Sequence, residues 1–266
     1  MRVTLPDACA VLGAYARVWG DSGGEVRFET TPWGLELVIA RPEAANAMSV
    51  AQLCRLGEAV QWAMAQPGAV AVLRAEGPVF CAGGDLREVT EHWLEPDAAR
   101  AVAAAATAVL DALSRLPQVL IVAVDGPAVG GGLELAACAD HLVAGTSARF
   151  EPRQVALGVA CGWGGAARWV SRLGPSRAMG WMLDGSSLDG PAALTLGLVD
   201  EVDACASSAA LARAVRWAGR DRAAVRAWVA QVRASQPPPV PEALEAFLGV
   251  WGGEGHRAAL AARRRR

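Results

Sequence analysis

The chain contains no lysine. All 25 basic residues among its 266 are arginine, so a P-loop, which needs a lysine beside its glycines, is excluded. Arginine alone suits bidentate phosphate recognition wherever several converge, and such usage also follows from genome composition. Histidine and cysteine are sparse and scattered. The three histidines (His92, His141, His256) and six cysteines (Cys9, Cys54, Cys81, Cys138, Cys161, Cys205) include no C-x-x-C pair, which argues against structural zinc and for reduced, mostly buried thiols. No metal or redox cofactor is expected.

Long apolar runs are missing too. No stretch reaches transmembrane length, and Pro6 and Asp7 interrupt the segment after Arg2 where a secretory signal would place its apolar region. A cytoplasmic protein that does not enter a membrane is the expectation. The formal net charge of −2 produces no field that would draw the molecule to nucleic acid. With 53% hydrophobic and 20% charged residues, the chain has a globular balance and enough length for one substantial core.

Residues 1–24 read as an N-terminal extension, with a short helix over Ala8 to Val18 and the turn formers Asp21-Ser22-Gly23-Gly24 at its end. Alternation then predicts a β-hairpin, with Val26 and Phe28 on one strand and Leu35, Leu37 and Ile39 on the other. Ser49 is placed to cap a helix whose Leu53, Leu56, Val60 and Met64 share a face, and Pro67-Gly68 stops it. Ala69 to Leu73 and Val119 to Val124 are continuous apolar runs, as strands buried on both faces would be. A long alanine-rich helix fits Asp97 to Leu116 between them.

Further helices are predicted over Leu133 to Ala139, Gly165 to Leu173, Arg177 to Leu183 and Pro191 to Leu196, and strands near His141 to Ala144 and Leu198 to Val202. After Ser207 the pattern is helical, broken by Pro237-Pro238-Pro239. The fold class is therefore α/β, or α+β by some schemes, with a core over 25–205 and a helical region over 206–266.

Two glycine-centred turns each follow a buried strand: Phe80-Cys81-Ala82-Gly83-Gly84-Asp85 and Gly126-Pro127-Ala128-Val129-Gly130-Gly131-Gly132-Leu133-Glu134. Glycine allows a ligand to approach the backbone, and a helix starting at the second turn leaves N–H groups free. A pair of such donors makes an oxyanion hole. Either turn alone is equally a plain strand-to-helix corner.

Together, and in this order, they resemble the crotonase family, also called the enoyl-CoA hydratase/isomerase superfamily. The likeness begins at Arg41-Pro42-Glu43-Ala44-Ala45-Asn46-Ala47-Met48, runs through both turns to Gly158 and Gly162-Trp163-Gly164-Gly165, and persists to Leu196-Gly197-Leu198-Val199-Asp200. It implies a spiral of strand-strand-helix units and a C-terminal helical region that builds a homotrimer or a dimer of trimers. It further implies that the N–H groups of Gly84 and Gly131 hold a thioester oxygen. The ligand would be an acyl-CoA, or an acyl group on a carrier protein's phosphopantetheine arm. The segment around Ala82 and Asp85 would grip the coenzyme, and Arg87 either reaches its phosphates or is a solvated charge.

The same likeness makes Glu134 one of two carboxylates used by hydratases and puts Gln154 where the second belongs. An amide holds water but exchanges no proton at neutral pH, which weighs against hydration. Glu151 is nearby but would face the other way if the segment is extended. Decarboxylation of a malonyl-type thioester needs the oxyanion hole and only a later proton, and a neutral Gln154 would not repel the substrate carboxylate. Val250-Trp251-Gly252-Gly253 resembles the end of ethylmalonyl-CoA decarboxylases. Isomerisation through Glu134 ranks next, and a catalytically silent binding or assembly subunit is the alternative of another class.

Several other residues have plain readings. Trp163 lines the acyl pocket or simply packs. Asp140 and His141 have no nucleophile to complete a triad. Cys81 has no base beside it. Arg263 to Arg266 is a solvated basic run or a phosphate contact.

Overall fold

The computed structural model describes residues 3–21, 23–234 and 242–263. The proposed Pro237–Pro239 break and three residues of the terminal basic run, Arg264, Arg265 and Arg266, lie outside them.

Helix α1 (Leu5–Trp19) comes first. Thr4 caps it by accepting the Asp7 N–H at 3.3 Å, and Ala8 and Leu12 are buried. It is longer than the predicted Ala8 to Val18, because the cap and Pro6 in the first turn start it earlier. The predicted hairpin is present as β1 (Glu25–Thr31) and β2 (Gly34–Ala40), paired antiparallel with Val26 opposite Ile39. Ser49 caps α2 (Val50–Ala65) through the Gln52 N–H. Leu53, Leu56 and Val60 are buried as the spacing required, but Met64, in the last turn, is 46% exposed.

There follow β3 (Val70–Ala75), α3 (Leu86–Glu91), α4 (Pro96–Leu113) and β4 (Val119–Val124). Then come β5 (Pro127–Val129), α5 (Gly131–Ala136), β6 (His141–Ala144), β7 (Arg149–Glu151) and α6 (Gly165–Leu173). The described chain ends with α7 (Pro175–Asp184), β8 (Leu188–Asp189), α8 (Gly190–Leu196), β9 (Glu201–Val202), α9 (Ala206–Ala218), α10 (Arg222–Ala234), α11 (Glu242–Val250) and α12 (Glu254–Arg263).

Among the described residues the strands form two sheets, ordered β1-β2-β3-β4-β6-β9 and β5-β7-β8. After β4 and after β6 the chain steps from the large sheet to the small one and then into a helix, β4-β5-α5 and β6-β7-α6. This is the strand-strand-helix repeat. A bridge between Cys81 and Ala128 adds the first glycine turn to the small sheet's edge.

The large sheet is covered on both faces, which explains its uninterrupted apolar strands. Leu73, Leu120, Val122 and Val124 face the main core with α2 and α4 residues, whereas Val70, Val72, Ile121 and Ala123 meet Ala206, Ala210 and Ala214 of α9.

The structure corrects two predicted boundaries. The helix expected over Leu133 to Ala139 starts at Gly131, because Gly130 adopts φ 53° and ψ −113° and turns the chain as soon as β5 ends. The strand expected over Leu198 to Val202 keeps only Glu201–Val202: Gly197 is left-handed and the Leu198 N–H bonds back to Ala193 O at 2.8 Å, so Leu198 closes α8.

Candidate active site

The two glycine turns lie side by side. Phe80 N–H donates to Pro127 O at 3.0 Å and Val129 N–H to Cys81 O at 2.9 Å. Gly83 has φ +90°, and a Cβ there would stand 2.9 Å from Val129 O and 3.0 Å from the Gly131 nitrogen. No side chain fits between the turns.

Almost every amide in the first turn is committed. Ala82 N–H goes to Ala45 O at 3.0 Å and Asp85 N–H to Met48 O at 3.0 Å, while Gly83 N–H points to Cys81 Sγ at 3.4 Å. The Gly84 N–H has no acceptor among the described residues. In the second turn Val129 N–H is used by Cys81 O and Gly130 N–H by Glu151 O at 3.1 Å. Gly131, at the start of α5, has no intrahelical acceptor for its own N–H. Both glycines line one cleft of about 840 Å³, its open mouth included.

The segment Arg41 to Met48 supports the first turn from behind. Asn46 is fully buried; its Nδ2 donates to Glu76 O and Val79 O, both at 2.7 Å, and its Oδ1 accepts the Arg41 N–H. The Arg41 guanidinium donates to Ala47 O at 3.0 Å and to Asp85 at 2.7 Å. Asp85 also caps α3 by accepting the Arg87 N–H at 3.0 Å. Asp85, read from the sequence as a coenzyme contact, is thus occupied in holding the turn and does not line the cleft. Arg87 is 86% exposed at its side chain, 4.0 Å from Glu91, and also lies outside the lining. Ala82 is part of it.

Glu134 projects from α5 into the loop that precedes α6. Its Oε2 accepts the N–H groups of Trp163 and Gly165, both at 2.8 Å, and its Oε1 that of Gly162 at 3.1 Å. Burial pushes its carboxyl up, against the pull of these three N–H donors and of the Arg168 charge. Arg168 braces the same loop through Trp163 O at 2.9 Å and Asp111 at 2.6 Å. Glu134, read from the sequence as an acid/base carboxylate, lines the cleft and has both oxygens engaged by backbone N–H groups.

Gln154 is buried beside it, with Nε2 3.5 Å from Glu134 Oε1 and Oε1 without a described partner. The Glu151 carboxylate is paired with Arg153 Nε at 3.0 Å and does not line the cleft. Cys81 is wholly enclosed and its thiol is pushed up to about 12 by burial, which keeps it protonated. Asp140 and His141 lie elsewhere, on Leu120, Arg233 and Glu201.

Of the rest of the lining, the sequence singles out Gly162, Trp163, Trp251 and the Thr90 to Ala98 loop that holds Trp93. Val89, Trp93, Val102 and Ala103 come from α3, α4 and the segment between them, and Phe247, Trp251, His256 and Leu260 from the C-terminal helices. Val250-Trp251-Gly252-Gly253 was the one signal there, and Trp251 Nε1 anchors it to Trp93 O at 2.5 Å.

The family model for enoyl-CoA hydratase/isomerase matches residues 35–254. The chain belongs to the enoyl-CoA hydratase/isomerase family. It is 36% identical over 176 residues to an enoyl-CoA isomerase/hydratase of Mycosarcoma maydis, a match covering 62% of this chain and 64% of that protein. Its first curated relatives are thus spanned over less than two thirds of their length. The similarity to ethylmalonyl-CoA decarboxylase of Xenopus laevis is lower, 27%, but covers 90% of this chain and 83% of that one. A crystal structure of an enoyl-CoA hydratase/isomerase from Mycobacterium paratuberculosis superposes with a TM-score of 0.81 over 91% of this chain and 100% of its own, at 23% identity, which establishes the shared crotonase fold.

Proposed function

We propose that the chain is an acyl-CoA enzyme that stabilises a thioester enolate, and that it decarboxylates a malonyl-type acyl-CoA. The thioester carbonyl would sit between the N–H groups of Gly84 and Gly131. The C–C bond to the carboxylate breaks, its electron pair moves into the thioester to give the enolate, carbon dioxide leaves, and one proton from solvent water then adds at the α-carbon. Each donor of such a pair contributes on the order of 3 kcal/mol to the transition state.

One observation carries the choice of reaction: the cleft offers no uncommitted carboxylate. Gln154 stands where hydration would want a second acid, and Glu134 is tied to Gly162, Trp163 and Gly165. Glu134 lines the cleft, but the three N–H donors that hold its carboxylate offset its charge, so it repels a substrate carboxylate less and is less free to shuttle a proton for isomerisation. The extent of the match to ethylmalonyl-CoA decarboxylase supports the same reading. Against a silent subunit stand the open cleft and two backbone donors left without acceptors.

The test is a panel of methylmalonyl-, ethylmalonyl-, crotonyl- and 3-enoyl-CoA with products followed by mass. Loss of carbon dioxide from a malonyl ester, with little hydration of crotonyl-CoA, is expected. Turnover of crotonyl-CoA or a 3-enoyl ester without carbon dioxide release would overturn the reaction proposed.

A further inference from the structure

One polar side chain in the cleft has been given no role so far. His256, in the first turn of α12, is 2% exposed and lines the cleft. The Gly252 N–H donates to its Nδ1 at 2.9 Å, which leaves the proton of the neutral ring on Nε2. The ring packs on Trp251 with centroids 4.5 Å apart, and Trp251 packs in turn on Phe247 at 4.8 Å. Orientation and tautomer are therefore both set by contacts. Burial lowers the pKa of His256, so the ring stays neutral around pH 7.

Gln154 belongs to the same part of the cleft. The start of α12 abuts the turn that follows Gln154, because a Cβ on Gly158 would stand 2.8 Å from the backbone nitrogen of His256. Gln154 is 5% exposed, and its Oε1 has no donor among the described residues. Its Nε2 is turned to Glu134 Oε1, 3.5 Å away, so the donor end of the amide is the one that faces Glu134. The Arg153 charge on this side is balanced by Glu151. Around these groups the lining is apolar, with Leu157, Val159, Phe247, Trp251 and Leu260.

We propose that His256 is a specificity-determining residue: its Nε2–H binds a carboxylate carried by the acyl group and so favours dicarboxylate-derived thioesters over plain hydrocarbon ones. This rests on the acyl-CoA reading given above. A hydrocarbon chain offers Nε2–H no acceptor, whereas a carboxylate makes a charge-assisted bond with it. Sites built to hydrogen-bond a substrate group reject the analogue that lacks it.

The test is calorimetric binding of succinyl-CoA and butyryl-CoA to the full chain and to His256→Phe, His256→Asn and His256→Gln, each checked by its melting curve. Wild type is expected to prefer succinyl-CoA by about tenfold. His256→Phe loses that preference with less than about a twofold change for butyryl-CoA, while His256→Gln, whose amide can stand in for Nε2–H, retains most of it. His256→Asn, too short to reach the same place, behaves as Phe does and serves if the Phe variant does not fold. Equal loss on both esters, or an unchanged preference in His256→Phe and His256→Asn, would overturn the proposal. Carbon dioxide release from ethylmalonyl-CoA is followed separately. Its absence, with the preference intact, removes the decarboxylation reading and leaves the role of His256 supported. Binding of neither ester by folded wild type overturns both.

Discussion

The turns at 82–85 and 129–131 bring backbone N–H groups to the cleft, whereas α4, α11 and α12 bring side chains such as Val102, Phe247 and His256. The first wall is narrow in what it tolerates, because a Cβ on Gly83 or Gly131 would run into its neighbours. The second holds Phe247, Trp251 and His256 by ring packing and two hydrogen bonds, so its composition can change without moving the first. A wall of amides can hold a carbonyl common to every acyl thioester. A wall of side chains can select what hangs from it.

That division can be broken or sharpened by substitution. The largest effect on stability is expected from Asp85→Ala, which leaves the Arg41 guanidinium buried without its 2.7 Å partner. A loss of about 3–5 kcal/mol in denaturant unfolding is expected, and a loss below about 1 kcal/mol would show that the first wall does not depend on this pair. Gly131→Ala comes next. Its new Cβ would stand 2.3 Å from the Trp163 ring, and displacement of the neighbouring N–H should lower kcat/KM by roughly 10²- to 10³-fold.

Glu134→Gln joins the two walls' fates. An amide cannot accept from all three N–H groups of Gly162, Trp163 and Gly165 without turning a donor toward one of them. The melting temperature should fall, corresponding to about 1–3 kcal/mol, while part of any decarboxylation survives. Wild-type melting would instead show that the loop holds itself.

The second wall has a pH signature. Burial lowers the folded-state pKa of His256 below its ordinary value of 6.5, so below that pH the unfolded chain takes up a proton that the folded chain refuses. Its contribution to stability is complete above pH 6.5 and is lost as the pH falls through the window below it. Wild type should therefore lose more melting temperature than His256→Gln between pH 7.5 and 5.5. His141, shifted in the same direction by burial, is common to both and cancels. The smallest effect is expected at Arg87, whose side chain is 86% exposed outside both walls: Arg87→Ala should change unfolding stability by less than about 0.5 kcal/mol.

Much of the backbone wall was legible from the chain. The runs Val70–Leu73 and Val119–Val124 announce buried strands, and Gly83-Gly84 and Gly130-Gly131 after them announce close approach. The three short strands Pro127–Val129, Arg149–Glu151 and Leu188–Asp189 were not read, because two or three residues carry no periodicity. Asp85 and Glu134 were identified as site residues, but what their carboxylates bind depends on Arg41 and on Gly162 to Gly165. Those partners are 44 and about 30 positions away.

The mixed order of the longer strands and helices, the helical end and the two glycine turns follow from the sequence by itself, since hydrophobic period and glycine placement are local properties; the spiral of strand-strand-helix units came only from the family likeness. Folding decided the rest. It tied Glu134 into a loop, withdrew Asp85 from the cleft and brought His256 to the cleft that Gln154 also lines, because side-chain contacts are settled by which surfaces meet, and no short stretch of sequence records that.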